Sequence, residues 1–248
     1  MKDVLLPQEE WDANYARHPL VVAPGDDPIR AWLTRHLGGE KGACLEFGCF
    51  PGRFLAVLGE LGFELHGIDL TPRVETDLPA WLRGLGHRTG TFARGDVFLH
   101  EWPRRFEVVC SFGLIEHFAA WEDLFRRHAR LVAPGGWLFI STPNFRSGLQ
   151  GFVHRHLDQE NLAKHNVAAM DPDRWRELAR EEGLEVVESG GFGSFDCWVG
   201  AQRRGLPAKI IVRLLPKIRR WLARILPEGD PRFAPYYGIV ARRPTEPA

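Results

Sequence analysis

Short apolar runs alternate with stretches of helical period along most of the 248 residues, the pattern of a parallel sheet with helices on its faces. Asp26-Asp27-Pro28 opens a helix with proline at its first position, and Ile29, Trp32, Leu33 and Leu37 then share one face. Ala43-Cys44-Leu45-Glu46-Phe47 is a short strand that stops at a glycine, and Phe54, Leu55, Leu58 and Leu61 mark a helix after Gly52. Glu64 to Asp69 is a second strand ending on an acid, and a third precedes Arg94-Gly95-Asp96-Val97. Phe106 to Phe112 reads as a buried strand, Trp121 to Leu131 as a helix, and Trp137 to Thr142 as a strand after the turn Pro134-Gly135-Gly136. Asp171-Pro172 starts a helix through Glu182, Leu184 to Ser189 is a strand, and Tyr236 to Ala241 closes the series. The expectation is an α/β fold of about seven strands.

Composition narrows the function classes. Hydrophobic residues make up 44% and charged residues 26%, enough apolar mass for a globular core. Lys plus Arg is 32 and Asp plus Glu is 32, which argues against a general nucleic-acid binder. Cys44, Cys49, Cys110 and Cys197 form no CxxC pair and read as reduced thiols. The first eleven residues hold no apolar signal region, and no uncharged apolar run reaches 18 residues, so a cytoplasmic protein without a membrane-spanning helix is expected. One stretch departs from the balance: eight basic residues and no acidic one lie between Arg203 and Arg224. It reads as an insertion before the final strand.

The sharpest chemical signal is Glu46-Phe47-Gly48-Cys49-Phe50-Pro51-Gly52 between the first strand and its helix. Gly48 allows a tight turn, and Gly52 lets a helix start close to a ligand. The spacing differs from the GxGxxG that grips a dinucleotide pyrophosphate. Asp69 follows Gly48 by 21 residues at the end of the second strand, where a carboxylate accepts from both hydroxyls of a ribose. Asp96, after the third strand, can meet an adenine amino group. Three strand-end acids then converge on one crevice of an open α/β sheet.

These residues, with Phe112-Gly113-Leu114-Ile115-Glu116-His117-Phe118 and Leu131-Val132-Ala133-Pro134-Gly135-Gly136, resemble the ordered motifs of class I S-adenosylmethionine-dependent methyltransferases, from about Gly42 to Thr142. The resemblance implies a Rossmann-like seven-stranded sheet, mostly parallel, with its last strand antiparallel. It also implies S-adenosylmethionine as cofactor, held by Glu46, Gly48, Cys49, Gly52, Asp69, Leu70, Asp96, Val97, Ser111 and Phe112. A non-catalytic relative that keeps the fold, or a nicotinamide-dependent oxidoreductase, are the competing readings. Glu116-His117 resembles the Glu-His after strand four of quinone-biosynthesis O-methyltransferases, where an acid three positions upstream completes a metal site. That position is Gly113 here, so no metal is expected. His117 is instead a general-base candidate or a cap of the following helix.

Trp11-Asp12-x-x-Tyr15 looks like a short lid over the cofactor in such relatives, or is plain packing. Beyond the fifth strand, Asn144, His154, His156 and His165 are candidates for the acceptor pocket, with a surface loop as the alternative. Thr142-Pro143-Asn144 lacks the Pro-Pro-aromatic exit of amino-methylating nucleic-acid enzymes. The expected organisation is one domain, 1–248: lid and helix in 1–40, cofactor core in 42–142, and acceptor side in 143–248 with the basic helical insertion at 203–226. The expected activity is methyl transfer to a small-molecule or lipid- or sugar-linked acceptor, at oxygen. Within 206–226, Ile210, Leu214, Ile218, Leu222 and Ile225 alternate with Lys209, Arg213, Lys217, Arg220 and Arg224. That amphipathic pattern suits a lid packed on the domain or a peripheral contact with an anionic membrane.

Overall fold

The computed structural model describes residues 4–6, 8–15, 19–146, 148–196, 198–199 and 221–245. Seven strands form one sheet in the order β3-β2-β1-β4-β5-β7-β6. They are β1 (Ala43–Phe47), β2 (Glu64–Asp69), β3 (Thr89–Arg94), β4 (Phe106–Phe112), β5 (Val132–Pro143), β6 (Glu185–Phe192) and β7 (Tyr236–Arg242). The pairs β1–β2, β2–β3, β1–β4 and β4–β5 are parallel, and β7 runs antiparallel to both β5 and β6. The expected sheet and its single reversed strand are therefore present.

Every residue of β1 is buried, as a central parallel strand covered on both faces must be. One face packs on α2 (Pro28–Leu37), α3 (Arg53–Glu60) and α4 (Asp77–Gly84), through Trp32, Leu33, Leu55, Leu58, Leu78 and Leu82. The other packs on α5 (Trp121–Arg130) and α8 (Pro172–Glu181), through Leu124, Phe125, Trp175 and Leu178. Each such side chain contributes roughly 1.5–3 kcal/mol on full burial. The two proline-started helices are capped as their sequences require. Asp27 Oδ1 accepts from Ile29 N at 2.9 Å and Arg30 N at 3.4 Å, and Asp171 Oδ1 accepts from Asp173 N at 3.1 Å and Arg174 N at 3.4 Å.

Two differences from the sequence pattern matter. β5 begins at Val132 and runs through Pro134-Gly135-Gly136 instead of starting after it, with its register against β4 shifting between Phe106 and Val108. Gly135, at φ 75°, absorbs that irregularity. Three short helices also carry no strong sequence signal: α1 (Gln8–Tyr15), α6 (Gly148–Leu157) and α7 (Gln159–Leu162). Most of the basic stretch, 201–220, lies outside the described residues. Its described end, 221–225, is helical, with Trp221 and Ile225 exposed and Leu222 packed near Val153 and Phe195. Among the described residues, no helix is long and apolar enough to cross a membrane.

Candidate active site

The loop from β1 to α3 turns back on β2. Gly48 N and Cys49 N both donate to Ile68 O, at 2.9 and 3.3 Å. Gly48 takes φ 65°, and a Cβ there would sit 2.7 Å from Leu114 Cδ1, so both backbone and space demand glycine. Gly52, at φ 82°, is constrained by a protein side chain as well. A Cβ there would lie 2.2 Å from Leu78 Cδ1, so this glycine seats α3 against α4.

Asp69 ends β2 with its carboxylate against that loop. Its Oδ1 accepts from Thr71 N at 3.0 Å, and its Oδ2 accepts from Phe50 N at 3.1 Å and from Tyr15 Oη at 3.3 Å. Burial outweighs these bonds and pushes its pKa up to about 6. Glu46, one strand over, is 4% exposed with Oε2 buried and unbonded. Burial, then repulsion from Asp69, holds its carboxyl well above the usual range, although the Arg53 charge lowers it. Arg53 itself pairs with Asp27 at 2.6 Å. Two buried acids thus lie on adjacent strands, and the Arg53 guanidinium pairs with a third acid, Asp27.

Two adjoining cavities open above the carboxyl ends of the strands. The first, about 110 Å³, is lined by Gly48, Asp69, Leu70 and Val97. The second, about 690 Å³, reaches Phe54, Ser141, Thr142, Asn161, Trp198 and Tyr236. Trp11 and Tyr15 of α1, with Phe50, Phe112 and Gly113, belong to the walls of both. A crevice at the point where the strand order reverses is where open α/β sheets bind ligands.

A family model described as a methyltransferase domain matches residues 25–189. The chain belongs to the methyltransferase family. It is 28% identical over 195 residues to a ubiquinone biosynthesis O-methyltransferase of Burkholderia pseudomallei, covering 75% of this chain and 82% of that one. Its fold is that of a SAM-dependent methyltransferase from Archaeoglobus fulgidus (TM-score 0.55, 19% identity, 87% and 93% of the two chains). It is also that of magnesium protoporphyrin IX methyltransferase from Synechocystis PCC 6803 (TM-score 0.55, 13% identity, 87% and 80%). The class I, S-adenosylmethionine-dependent expectation stands on family and fold together.

In this methyltransferase the expected cofactor residues divide into two groups. Gly48, Asp69, Leu70, Val97 and Phe112 line the cavities. Glu46, Cys49, Gly52, Asp96 and Ser111 stand behind them. Cys49 packs its sulfur over Gly67, Ser111 is fully buried, and Asp96 Oδ1 accepts from Phe98 N at 2.9 Å, closing its own turn. Cys44, Cys49 and Cys110 are free and buried, consistent with reduced thiols. The expected acceptor residues do not line the second cavity. Asn144 Nδ2 donates to Pro231 O and Ala234 O, at 2.9 and 3.0 Å, tying the β5 exit to the lead-in of β7. His154 is fully buried under Phe145, its ring centroid 3.8 Å away, with Nδ1 3.0 Å from Asp158. His156 is exposed, its ring tilted against that of Phe152 with centroids 4.5 Å apart.

His117 also sits a layer back. It is 5% exposed, its Nδ1 donates to Lys164 O at 2.8 Å, and Trp11 covers its ring edge-on at 4.9 Å. Burial depresses its pKa to about 3. Next to it Glu116 is 1% exposed, with Oε2 unbonded and its carboxyl pushed up to about 8 by burial. His165 completes the group, its ring centroid 4.6 Å from that of His117. Sequence spacing offered His165 for the acceptor pocket; the turn after α7 instead sets it beside His117. The wall residues Trp198, Asn161 and Tyr236 were silent in sequence, because they come from the stretch after β6, from α7 and from the start of β7.

Proposed function

We propose that the enzyme binds S-adenosylmethionine in the first cavity and methylates an oxygen of a small, neutral, ring-bearing acceptor held in the second. The observation that carries the cofactor placement is the Asp69 carboxylate lining the first cavity beside the glycine loop, with the buried Glu46 carboxyl behind it on the adjacent strand. S-adenosylmethionine brings an ammonium and a sulfonium to such a site, and the residues present fit it. Gly48 brings its backbone to the wall of the first cavity, and Asp69 lines the same cavity and is placed to accept from ribose hydroxyls.

When bound, the cofactor supplies an electrophilic methyl group on a sulfonium. The chain's own part is alignment and exclusion of water. Leu70 and Val97 give apolar walls for a base, and the shared wall of Trp11, Tyr15, Phe50 and Phe112 stands between the two cavities. Aromatic faces there attract a cationic centre. In the second cavity the only basic lining residue among those described, Arg53, is held by Asp27, so among the described residues an anionic acceptor finds no free cation in that lining. Phe54, Trp198 and Tyr236 offer rings to stack on, and Asn161 offers a polar edge. The O-methyltransferase relatives favour oxygen as the atom methylated. On this reading the chain acts as one unit, residues 42–142 holding cofactor and 143–248 forming the acceptor side.

The test is transfer of a radiolabelled methyl group to a panel of phenols, catechols, amines and carboxylates, paired with calorimetry. Label in phenolic products and binding of S-adenosylhomocysteine, without binding of NAD, are the expected results. Label in amines alone overturns the acceptor assignment. Trp11→Ala removes a wall common to both cavities, so it should raise the cofactor Kd and the acceptor KM together, by about 3- to 30-fold each. Phe54→Ala, which touches only the second cavity, should raise the acceptor KM alone. Steady-state kinetics with both substrates varied separates the two patterns.

A further inference from the structure

We propose that Asn161 selects the methyl acceptor by accepting a hydrogen bond from one of its free hydroxyls, and that the buried Asp158–His154 pair holds the Asn161 amide in the orientation this requires. The proposal rests on the acceptor occupying the second cavity, and it names the group that reads the acceptor there. Asn161, in α7, lines that cavity. Its Nδ2 donates to Asp158 Oδ2 at 3.3 Å. A carboxyl oxygen facing this amide accepts from its nitrogen and repels its oxygen, so the NH2 end is the one turned to Asp158. Oδ1 has no hydrogen-bond partner among the described residues. It is the free acceptor of this wall residue.

The local structure diverts an ordinary cap to this task. Asp158 stands at the N-cap of α7, where an aspartate normally accepts from backbone N–H groups of the first turn. Here its side chain makes no such cap and turns to the Asn161 side chain instead. His154, one helical turn earlier, sets Nδ1 3.0 Å from the same Oδ2. Both side chains are fully buried, and a buried carboxyl needs partners; two nitrogens flanking one oxygen fix where it points. His154 is in turn packed on Phe145 at 3.8 Å and lies 6.3 Å from Trp198, another wall of the cavity. The Asn161 backbone is held as well, its carbonyl accepting from His165 Nδ1 at 2.7 Å. An acceptor with a free O–H satisfies Oδ1, whereas an ether at the same place covers it unpaired. The Ser141, Thr142 and Tyr236 hydroxyls of the same lining can donate to an ether as well as to an alcohol. Both Asp27 oxygens are taken, by the α2 backbone and by Arg53. Among these side chains the distinction between hydroxyl and ether therefore falls to Asn161.

Calorimetry with 3-hydroxyacetophenone and 3-methoxyacetophenone, neutral rings that differ only by a methyl group on one oxygen, tests the assignment on the full chain saturated with S-adenosylhomocysteine. The hydroxy probe should bind the wild type about 3- to 10-fold more tightly, the worth of one hydrogen bond. In Asn161→Ala that ratio should fall below about twofold through weaker binding of the hydroxy probe. Asp158→Asn, whose own amide lets Asn161 pair either way round, should lower the ratio too. A side chain that merely supports the wall would raise both dissociation constants and keep their ratio. His156→Ala, exposed on α6, should leave both constants unchanged. Asn161 is half-buried on a four-residue helix, so its variant is decisive even where Asp158→Asn fails to fold. No binding of the hydroxy probe, a wild-type ratio near one, or a ratio unmoved in Asn161→Ala overturns the proposal. A folded Asp158→Asn with the wild-type ratio overturns the part given to the Asp158–His154 pair. Binding of S-adenosylhomocysteine and label in phenolic products are read separately, so failure here leaves the methyl-transfer assignment standing.

Discussion

Asp69→Asn is expected to weaken S-adenosylmethionine binding by about 10- to 150-fold, the loss of roughly 1.5–3 kcal/mol of charge-assisted hydrogen bonding. The carboxylate is already oriented by Thr71 N and Phe50 N, so it meets a ligand without reorganising. The Tyr15 hydroxyl occupies the same Oδ2 at 3.3 Å and must share or release it when ribose hydroxyls arrive. Acidification should mimic the substitution, because burial raises the Asp69 pKa to about 6. The sign for stability is the reverse of the sign for binding. A carboxyl whose folded pKa exceeds its unfolded value, ~3.9, favours the ligand-free fold below that value. It loses that contribution as pH rises through about 6, while cofactor binding needs the ionised form and strengthens over the same window. The stabilisation of the melting temperature by saturating cofactor should therefore be larger at pH 7.5 than at pH 5. In Asp69→Asn it should be small at both. Calorimetric affinity within twofold of wild type in a folded variant would remove Asp69 from the site.

Trp175→Ala is expected to cost about 3–5 kcal/mol of fold stability, lowering the melting temperature by roughly 6–20 °C for a domain of this size. Trp175 is fully buried between α8 and the sheet, and its Nε1 donates to Ala169 O at 2.8 Å. That carbonyl lies in the 167–169 turn, which Asn166 caps by accepting from Ala168 N at 3.1 Å. The indole thus does two jobs: it fills the core and holds the segment that brings His165 to Glu116. Trp175→Phe keeps most of the volume but leaves the carbonyl unpaired, at about 1–3 kcal/mol. Urea unfolding with an unchanged slope would assign both losses to the native state. If alanine costs no more than phenylalanine, the packing account is wrong.

The sheet was readable because its strands are buried on both faces and so appear as continuous apolar runs, Ala43–Phe47 being the plainest. Asp69 and Gly48 were readable for a different reason, since each sits where a strand ends and the chain must turn. Gly52 was recognised as special, yet its neighbour is Leu78, and no local spacing carries that contact. The acceptor side was the least legible. Histidine density pointed to residues 154–165, but tertiary packing sends His154 into the core beside Phe145 and leaves His156 outside. The walls of the second cavity are aromatic residues from α1, α3, the stretch after β6 and the start of β7. Each is an ordinary apolar position in its own segment, and only the fold brings them together.

The place of β7 governs the order in which the molecule can assemble. β6 pairs with β7 and with no other described strand, while β7 also completes β5. As the chain leaves a ribosome, β6 emerges with its hydrogen-bonding edges unmatched, and its partner begins 44 residues later. At ~5–20 residues per second that interval is roughly 2–9 s. During it, α8 and the exposed edge of β5 have no closing strand. Birth of this enzyme is therefore late and concerted on its acceptor side, and the half-sheet that waits for β7 is the species most open to chaperones and to aggregation.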